Sequence, residues 1–535
     1  MKYERVRKVR AVVFVALLLI LPTSLAVAED QTTPVGSSLI RITPPAPVFD
    51  EKTRHTELAA RRARVVQAIG PKAILVLFSA EPRIYTNDVD YEYRQENNLY
   101  YLTNLKQKRA TLVLTQGTAG PSAILFMPRR NAFAETWNGH MYTPEEARQA
   151  SGITEIWESS EFEPFMRALR NQQSYRPEPK NILMTQTTAV ANGSSGFASV
   201  FESAGKNEGQ IYLLIPGGDG ESREYRQEQR FAAEWTKTPS GYSVKSATPI
   251  FADLRLRKSP LEVQLMQHAI DITTEALQRS WAAAGTAKWE YEVHAQVDYT
   301  FKLRNADHWG YPSIVGCGKN ATTLHYVESQ GQVHPGLLIL MDVGAEYEHY
   351  TADVTRTFPV NGKFSAAQAE IYQIVYDAQE AAGKASKPGA LISDVDRAAT
   401  AVIKAGLLKL GLITDINSNQ HRLWFMHGTS HWLGMNVHDV GSYGTRLEPG
   451  MIFTNEPGIY IRPDSLDNLP QTAENQKFIA AVKPAFEKYK GIGVRIEDDM
   501  LITPGGVDWL TKALPRKLSE IEAFMANARE SVQNR

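Results

Sequence analysis

Apolar residues recur along this chain with the periods of helices and of buried strands. A charged helix is predicted from Thr53 to Ile69. Three short apolar runs follow it and are typical of buried strands: Ala73 to Phe78, Thr111 to Thr115 and Ala123 to Met127. This alternation predicts an α/β domain, which we place over residues 53–254.

A second domain is predicted to begin near a helix start signal at Ser259. Serine can cap a helix, Pro260 fits the first turn, and Glu262 at the third helical position completes a capping box. The helix that follows has one apolar face, made by residues at spacings of three and four: Leu261, Leu265, Ala269, Ile272 and Ala276. We therefore assign residues 255–535 to one large α/β domain.

Residues 1–28 have the pattern of a signal peptide. Basic residues precede an apolar run from Ala11 to Leu21, and Ala26-Val27-Ala28 supplies small residues for cleavage. The alternative is a membrane-spanning helix, but the run is shorter than the ~20 residues that a span requires, and Pro22 interrupts it. We expect cleavage after Ala28, no stable membrane span afterwards, and an exported protein that is periplasmic or secreted. Residues 29–52 are predicted to form an extended linker that lets the folded part stand clear of the export segment.

The charge balance excludes a strong long-range attraction to a charged partner. The 535 residues include 58 basic and 59 acidic ones, so the net charge does not favour nucleic acid or an anionic membrane. Cys317 is the only cysteine, which excludes an internal disulfide, and we expect it to be a small core residue. The mature chain must therefore be stabilised by its core and by any bound metal.

Two aspartates in the second domain are placed to meet. An apolar run from Leu338 ends on Asp342, and Asp353 follows eleven residues later. If the segment from Gly344 to Tyr350 carries a turn, the two carboxylates converge from adjacent strands, where they would repel each other unless a cation lay between them. A lone aspartate at a strand end is more often a turn or cap residue, but the pair indicates a metal site.

Three further blocks supply imidazole and carboxylate groups. In order, they contain His427, His431, His438, Glu456 and Glu497. Such oxygen-rich sets with limited nitrogen suit Mn²⁺, and also Co²⁺ or Fe²⁺, better than the thiolate-rich sites of structural zinc do. The spacing of His427 and His431 could suggest a helical zinc motif, but Gly428 and Gly434 disfavour a helix, so we reject that interpretation.

The order and spacing of these blocks resemble the metallopeptidase family that contains aminopeptidase P, prolidase and methionine aminopeptidase. The likeness is greatest to aminopeptidase P and rests on four motifs: Tyr311-Pro-Ser-Ile-Val315 with His325 following, Thr355-Arg356-Thr357-Phe-Pro359, Ser430-His431-Trp432-Leu433-Gly434, and Gly491-Ile-Gly-Val-Arg495-Ile-Glu-Asp-Asp499. Upstream, Tyr91-Glu-Tyr-Arg94-Gln95 and Leu99-Tyr-Tyr-Leu-Thr103 resemble the signature of the amino-terminal domain of these enzymes. The resemblance covers nearly all of the mature chain.

The resemblance implies a pita-bread metallopeptidase domain preceded by a smaller α/β domain. It implies two divalent ions, with Mn²⁺ favoured and Co²⁺, Fe²⁺ or Zn²⁺ as alternatives. Five ligands follow from it: Asp342, Asp353, His431, Glu456 and Glu497, of which Asp353 and Glu497 bridge the ions. The expected reaction releases the N-terminal residue from peptides with proline in the second position, by attack of a hydroxide that the two ions share.

The resemblance also implies roles for residues around the metals. Glu456 would take and return the proton, and His438 would donate a hydrogen bond to the developing oxyanion. His325 would lie near the scissile nitrogen and the proline, as a catalytic and substrate-binding residue. Arg495 would hold a carboxylate ligand or the partner of His438 in place, and Tyr460 would border the site as a substrate-binding residue.

Two departures from the family pattern and two alternative functions remain. Asn436 stands where the family often has aspartate, and residues 466–488 resemble an insertion that could reshape the substrate cleft or an oligomer contact. A prolidase acting on Xaa-Pro dipeptides is the main alternative, and cleavage of tripeptides and longer peptides with proline second discriminates against it. The fold also serves as a non-catalytic binding module, which the intact ligand set disfavours. A homo-oligomer is expected, because oligomers are common in the family.

Overall fold

The structure is a computed structural model that describes residues 39–117, 120–185, 197–216 and 224–533. The predicted signal peptide and the first part of the predicted linker lie outside these residues. Residues from Ile40 onward form one compact unit. Within the described ranges, none of the helices is both long enough and apolar enough to cross a membrane.

The amino-terminal half alternates helices and strands, as predicted. Its helices are α1 (Glu51–Ile69), α2 (Asn97–Thr103), α3 (Ala132–Asn138), α4 (Pro144–Ser151), α5 (Phe162–Arg170), α6 (Ala198–Gly205), α7 (Arg226–Thr236) and α8 (Thr248–Leu256). Its strands are β1 (Ala73–Phe78), β2 (Ile84–Thr86), β3 (Val89–Asp90), β4 (Thr111–Gly117), β5 (Gly120–Met127), β6 (Ile156–Glu158), β7 (Ile182–Met184), β8 (Gly209–Leu213) and β9 (Tyr242–Ser246).

The main sheet of this half has the strand order β7-β6-β5-β4-β1-β8-β9. Strand β1 is antiparallel to β4, with Leu75 opposite Leu114, and parallel to β8. Successive side chains of β1 enter two cores, since Leu75 and Leu77 belong to one and Ile74 and Val76 to the other. Helix α1 and the three predicted strands are confirmed. The strands are continuous apolar runs because both faces of the sheet are covered.

The carboxy-terminal half is built from long helices and several small sheets. Its helices are α9 (Pro260–Ala284), α10 (Glu290–Leu303), α11 (Ala366–Ala385), α12 (Ile392–Leu410), α13 (Ala473–Tyr489) and α14 (Leu518–Gln533). Its strands are β10 (His308–Trp309), β11 (Ile314–Cys317), β12 (Leu338–Val343), β13 (Ala345–Tyr347), β14 (Tyr350–Thr351), β15 (Val354–Pro359), β16 (Ile452–Asn455), β17 (Gly458–Tyr460), β18 (Gly493–Arg495), β19 (Asp498–Thr503) and β20 (Gly506–Trp509). The sheets are β10-β13-β14, β11-β12-β15, β16-β19-β20 and β17-β18.

Helix α9 begins at the predicted capping box. Ser259 Oγ accepts a hydrogen bond from Glu262 N, and the Glu262 carboxylate accepts one from Ser259 N at 2.9 Å. The predicted apolar face is buried, except that Leu261 is partly exposed. The other sides of the helix are largely buried too, including the charged Glu275, while Ile270 packs in a core shared with β1. Helix α9 is therefore a central helix rather than a surface helix.

The two predicted domains share one continuous core. Leu75 and Leu99 of the first domain belong to the same cluster of buried side chains as Leu265 and Leu433 of the second. The boundary predicted at residue 255 falls inside α8, and no linker separates the two halves within the described residues. The side chains that build the site can therefore receive support from both halves.

The described end of the predicted linker is extended but bound to the body of the protein. Residues 41–50 form neither helix nor strand, and Asp50 then caps α1. Thr43 donates from N and Oγ1 to the buried Glu275 Oε2 at 2.8 and 2.7 Å. This end of the linker is therefore part of the folded body, while its predicted spacing from the export segment lies outside the described residues.

The predicted insertion at residues 466–488 forms a loop and most of α13. The Phe486 ring centroid lies 6.0 Å from that of Trp424, and Tyr489 Oη donates to Glu370 Oε2 of α11 at 2.6 Å. These contacts hold the inserted helix against α11. Among the described residues, they involve none of the five predicted metal ligands.

Candidate metal centre

The predicted aspartate hairpin is confirmed. Strands β12 and β15 pair antiparallel with Asp342 opposite Thr355, and the short strands β13 and β14 connect them. The hydroxyl of Tyr311 lies between the two carboxylates, 2.5 Å from Asp342 Oδ1 and 2.6 Å from Asp353 Oδ1. Tyr311 is therefore a site residue that sequence reasoning did not single out, although its motif was part of the family resemblance.

The other three predicted ligands approach from separate segments. His431 lies in a loop held against β16, where its N–H donates to Thr454 Oγ1 at 3.1 Å. Glu456 directly follows β16, and Glu497 lies between β18 and β19. His431 Nε2 is 3.2 Å from Asp353 Oδ2 and 3.3 Å from Glu456 Oε1. Ligand atoms of Asp353, His431 and Glu497 all lie within 4.8 Å of one another.

Arg495 connects the remaining parts of the cluster. Its Nη2 donates to Asp342 Oδ2 at 2.5 Å, and its Nε donates to Thr355 Oγ1 at 2.9 Å. The Thr355 hydroxyl in turn donates to Glu497 Oε2 at 2.6 Å. Of the two roles expected for Arg495, these contacts show the holding of carboxylate ligands. The structure thus brings all five predicted ligands together, with Thr355 as a support that the sequence reasoning missed.

The cluster concentrates negative charge in a buried place. Burial, together with the carboxylates of Asp353, Glu456 and Asp342, raises the pKa of Glu497 well above its ordinary value. Burial raises the pKa of Asp342 and raises that of Glu456 to about 7, in both cases against the attraction of nearby cationic groups. Burial opposes the charged form of His431, but the hydrogen bond to Asp353 and the charge of Glu456 outweigh it and raise its pKa to about 9.

This donor set fits divalent cations. Four carboxylates so close together cannot all ionise without positive charge among them, which the raised pKa values of Asp342, Glu456 and Glu497 express. Carboxylate oxygens with one imidazole nitrogen are the ligands that hard to intermediate divalent metals prefer. The chemistry of the site therefore matches the metal centre expected from the sequence.

In metal-free protein, Glu456→Gln is expected to become stabilising as pH rises. The pKa of Glu456 in the folded protein, about 7, lies above its ordinary value, so binding of the proton stabilises the folded state. This contribution to the free energy of unfolding is fully present at low pH and is lost as the pH rises to about 7. Glutamine carries no charge at any pH. The variant should match wild type below about pH 4 and exceed it by about 2–3 kcal/mol near pH 9. Urea unfolding of both proteins after chelation measures the difference, and a pH-independent difference would contradict the assignment.

His427 is a second site residue for which the sequence reasoning gave no role. Its Nε2 lies 2.8 Å from Tyr460 Oη, and its Nδ1 lies 3.7 Å from Glu456 Oε2. Burial and the charge of Arg495 lower the pKa of His427 to about 3, so its ring is neutral at neutral pH. Residues 427–434 form no helix, which confirms the rejection of the helical zinc motif. The signal that could have found His427 is its place in the same short block as the ligand histidine.

Tyr460 lies against the buried side of the site, and its substrate-binding role stays a prediction. Its side chain is fully buried, and its Oη accepts a hydrogen bond from Arg495 Nη1 at 2.9 Å while also contacting His427. Burial raises the pKa of Tyr460, so the phenol stays protonated. The side chain therefore supports Arg495 and His427 from behind.

His325 and His438 lie on the exposed side of the cluster. The His438 ring centroid is 4.4 Å from that of His431, and the two rings are nearly perpendicular. Burial and the charge of His431 lower the pKa of His438. The charge of His325 further lowers the pKa of both His427 and His438, which places His325 within electrostatic reach of both rings. Their exposure leaves both imidazoles accessible to a bound molecule.

The loop that carries His438 is held by the amino-terminal half. Asn436 Oδ1 accepts a hydrogen bond from Asn97 Nδ2 of α2 at 2.8 Å. Asp439, which follows His438, is buried and forms an ion pair with the buried Arg255. The departure from the family pattern at Asn436 therefore lies at a contact between the two halves and outside the ligand cluster.

Two family patterns match this chain. The pattern of metallopeptidase family M24 matches residues 264–504, and that of the aminopeptidase P N-terminal domain matches residues 58–176. The Xaa-Pro aminopeptidase of Escherichia coli is 34% identical over 89% of this chain and 98% of its own length. The chain belongs to the aminopeptidase P group of the M24 metallopeptidases.

Solved structures of aminopeptidase P agree with the architecture of the chain. The low-pH form of the Escherichia coli enzyme has a TM-score of 0.73 and 31% identity, covering 90% of this chain and 100% of that one. The same enzyme with the inhibitor Pro-Leu has a TM-score of 0.71 and 31% identity, covering 89% and 99%. The predicted aminopeptidase P fold is confirmed, with a pita-bread catalytic domain preceded by a smaller α/β domain.

Proposed function

We propose that this chain releases the amino-terminal residue from peptides whose second residue is proline, with two divalent ions as cofactors. The convergence of five ligands in one buried cluster carries the proposal: Asp342, Asp353, His431, Glu456 and Glu497. End-to-end similarity to an Xaa-Pro aminopeptidase supports the substrate class. The inhibitor Pro-Leu bound to a related enzyme supports it further, because this dipeptide has proline at its amino end, as a product of such cleavage would.

The residues that would hold the two ions are Asp342, Asp353, His431, Glu456 and Glu497. One carboxylate oxygen of Asp353 contacts His431. The other accepts a hydrogen bond from the Tyr311 hydroxyl, which also contacts Asp342. The chemistry that divalent ions supply in such a site is Lewis acidity toward water and toward the peptide carbonyl.

Glu456 is the group that we propose moves the proton. Its pKa of about 7 without metal reflects a buried carboxylate that accepts a proton readily, and its Oε1 is within 3.1 Å of Thr454 Oγ1. Glu456 takes a proton from the attacking water and returns it to the nitrogen of proline as the peptide bond breaks. The leaving nitrogen requires this proton, because proline departs as a secondary amine.

His438 and His325 are the groups that we propose meet the substrate. His438, neutral because its pKa is lowered by burial, donates an N–H to the carbonyl oxygen on which negative charge develops. His325 lies on the same exposed side and contacts the substrate near the scissile nitrogen and the proline ring. Proline has no N–H to donate, so shape and the placement of these rings must distinguish it from other residues.

Mn²⁺ is the cofactor that we propose, since an oxygen-rich donor set with one imidazole favours it, and Co²⁺, Fe²⁺ or Zn²⁺ would be alternative occupants. We further propose that the chain is exported, periplasmic or secreted, on the evidence of the leader pattern at residues 1–28. A homo-oligomer, as expected from the sequence, is also part of this proposal.

Removal and return of metal is the decisive test. Chelator treatment is expected to abolish cleavage, and Mn²⁺ is expected to restore release of the first residue from a tripeptide with proline second. A matched tripeptide with alanine second should be cleaved at least ~10²-fold more slowly, because the site would discriminate in the transition state. Chromatographic quantification of the released amino acid measures both rates.

The same assay separates the alternatives. Cleavage of an Xaa-Pro dipeptide without cleavage of the tripeptide would make the chain a prolidase. A protein that binds two ions yet cleaves neither peptide would be a binding module.

A further inference from the structure

One buried carboxylate accepts hydrogen bonds from residues on both sides of His325. Glu290 is the first residue of α10, and its side chain is fully buried. Four donors reach its two oxygens: Cys317 N at 2.6 Å and Asn320 Nδ2 at 2.9 Å on Oε1, and Tyr326 Oη at 2.8 Å and Gly331 N at 2.6 Å on Oε2. A charged acceptor with short bonds to four donors is a strong clamp. Both ends of residues 317–331 are thus tied to one side chain.

The fit around this carboxylate leaves little freedom. The Tyr326 hydroxyl donates to Glu290 and accepts from Asn320 Nδ2 at 3.0 Å and from Gln330 N at 3.1 Å. A Cβ at Gly331 would come within 2.7 Å of Glu290 Oε1 and 2.4 Å of Asn320 Nδ2, so only glycine lets the backbone approach this closely. The network is therefore both dense and fully paired at its centre.

The clamp continues into the metal centre through packing. Leu324 and Tyr326, on either side of His325, pack against a small core cluster that includes Leu340 of β12 and Tyr460. Tyr460 in turn contacts Arg495 and His427, as described above. Within the described residues, the His325 ring has no hydrogen-bond partner, so its position depends on the backbone that these neighbours hold.

We propose that Glu290 is a positioning residue that sets the place of His325 over the metal centre. The inference rests on the proposed function, in which His325 contacts the substrate near the scissile nitrogen. Glu290 does not itself touch the substrate. It holds the segment before and after His325, and a displacement of ~1 Å in such a group can cost ~10²-fold in rate.

Glu290→Gln is the variant that tests this role. Each carboxylate oxygen faces one backbone N–H, from Cys317 or from Gly331, and a backbone donor cannot turn around to become an acceptor. In either orientation the glutamine NH₂ therefore confronts an N–H, and the segment must shift. We expect kcat/KM for a tripeptide with proline second to fall ~10- to 100-fold. Metal content should stay unchanged, and the loss should divide between kcat and KM as it does in His325→Ala.

A double-mutant cycle distinguishes positioning of His325 from a general loss of structure. If Glu290 acts through His325, then Glu290→Gln should add no further loss in the His325→Ala background. The matched control is Glu275→Gln, since Glu275 of α9 is also fully buried and accepts hydrogen bonds from Thr43, Arg279 and Arg304. The control should lower thermal stability and leave kcat/KM within about twofold of wild type.

Tyr326→Phe provides a second, milder variant should Glu290→Gln fail to fold. It removes one of the four donors to Glu290 and is expected to lower kcat/KM ~3- to 10-fold, again without effect in the His325→Ala background. If these variants keep the wild-type kcat/KM, or if their losses add to that of His325→Ala, Glu290 does not position His325. Either result would leave the proposed function intact. A wild-type enzyme inactive on Xaa-Pro peptides would instead overturn the proposed function, and this inference with it.

Discussion

Replacing Glu497 by glutamine is expected to lower kcat by more than ~10³-fold, equivalent to a rise of about 4 kcal/mol in the activation barrier. Glu497 lies in a cluster with Asp353 and His431 whose ligand atoms are within 4.8 Å of one another, and it would hold metal there. Glutamine keeps the size of the side chain, and its carbonyl oxygen can still accept the hydrogen bond from Thr355. The loss should therefore come from charge and ligation, with the fold preserved. Steady-state kinetics on a tripeptide with proline second measures it.

Metal content makes this prediction specific. Elemental analysis after dialysis should find fewer than two ions per chain in Glu497→Gln, whereas the Glu275→Gln control should retain the wild-type content. A Glu497→Gln protein with two ions and wild-type kcat would exclude Glu497 as a ligand.

Arg356→Met is expected to lower the free energy of unfolding by about 3–5 kcal/mol, because it removes the nearer of the two ion-pair partners of the buried Asp498 and leaves only Arg516 Nε at 3.7 Å. Arg356 is fully buried, and its Nη2 lies 2.6 Å from Asp498 Oδ1. Its Nη1 donates to Glu497 O at 2.5 Å, and its Nε donates to Pro515 O at 3.0 Å. The guanidinium thus holds the backbone at a metal ligand, so metal affinity should fall as well. Urea unfolding of metal-loaded protein and metal titration measure the two effects.

An exposed arginine supplies the control for this substitution. Arg397 pairs with Asp394 on the surface of α12, and its side chain is 69% exposed. Arg397→Met is expected to change the free energy of unfolding by less than about 1 kcal/mol, because an exposed ion pair usually contributes no more than this to stability. Equal losses in the two variants would show that burial of the Arg356 pair has no special importance.

Several elements were predictable because their signals lie within a few residues. The capping box at Ser259 and Glu262 marks the start of α9, and the continuous apolar run at Ala73–Phe78 marks β1. The aspartate hairpin was predictable for the same reason, since strand, turn and strand follow one another directly. Local periodicity and capping are properties of the chain itself, and packing had only to preserve them.

The supporting residues of the site were not predictable in this way. Tyr311, Thr355 and His427 are common residue types whose partners come from distant segments, so their motifs alone do not show what they contact. The burial of Tyr460 behind Arg495 was not predictable either, because it depends on how β17 and β18 meet the hairpin. The sequence shows a residue type at a position, whereas its neighbours decide whether the side chain faces substrate or core.

By itself, the sequence determined the local elements and, through its ordered motifs, the metallopeptidase family, because these depend on residue types and short spacings. The five ligands are its prediction. Only the tertiary structure decided that the two halves share one core, that α9 is buried on nearly all sides, and that the inserted helix packs against α11. It also decided the charge state of the site. The pKa values of Glu456, His431 and His427 depend on burial and on charges that folding brings from far along the chain.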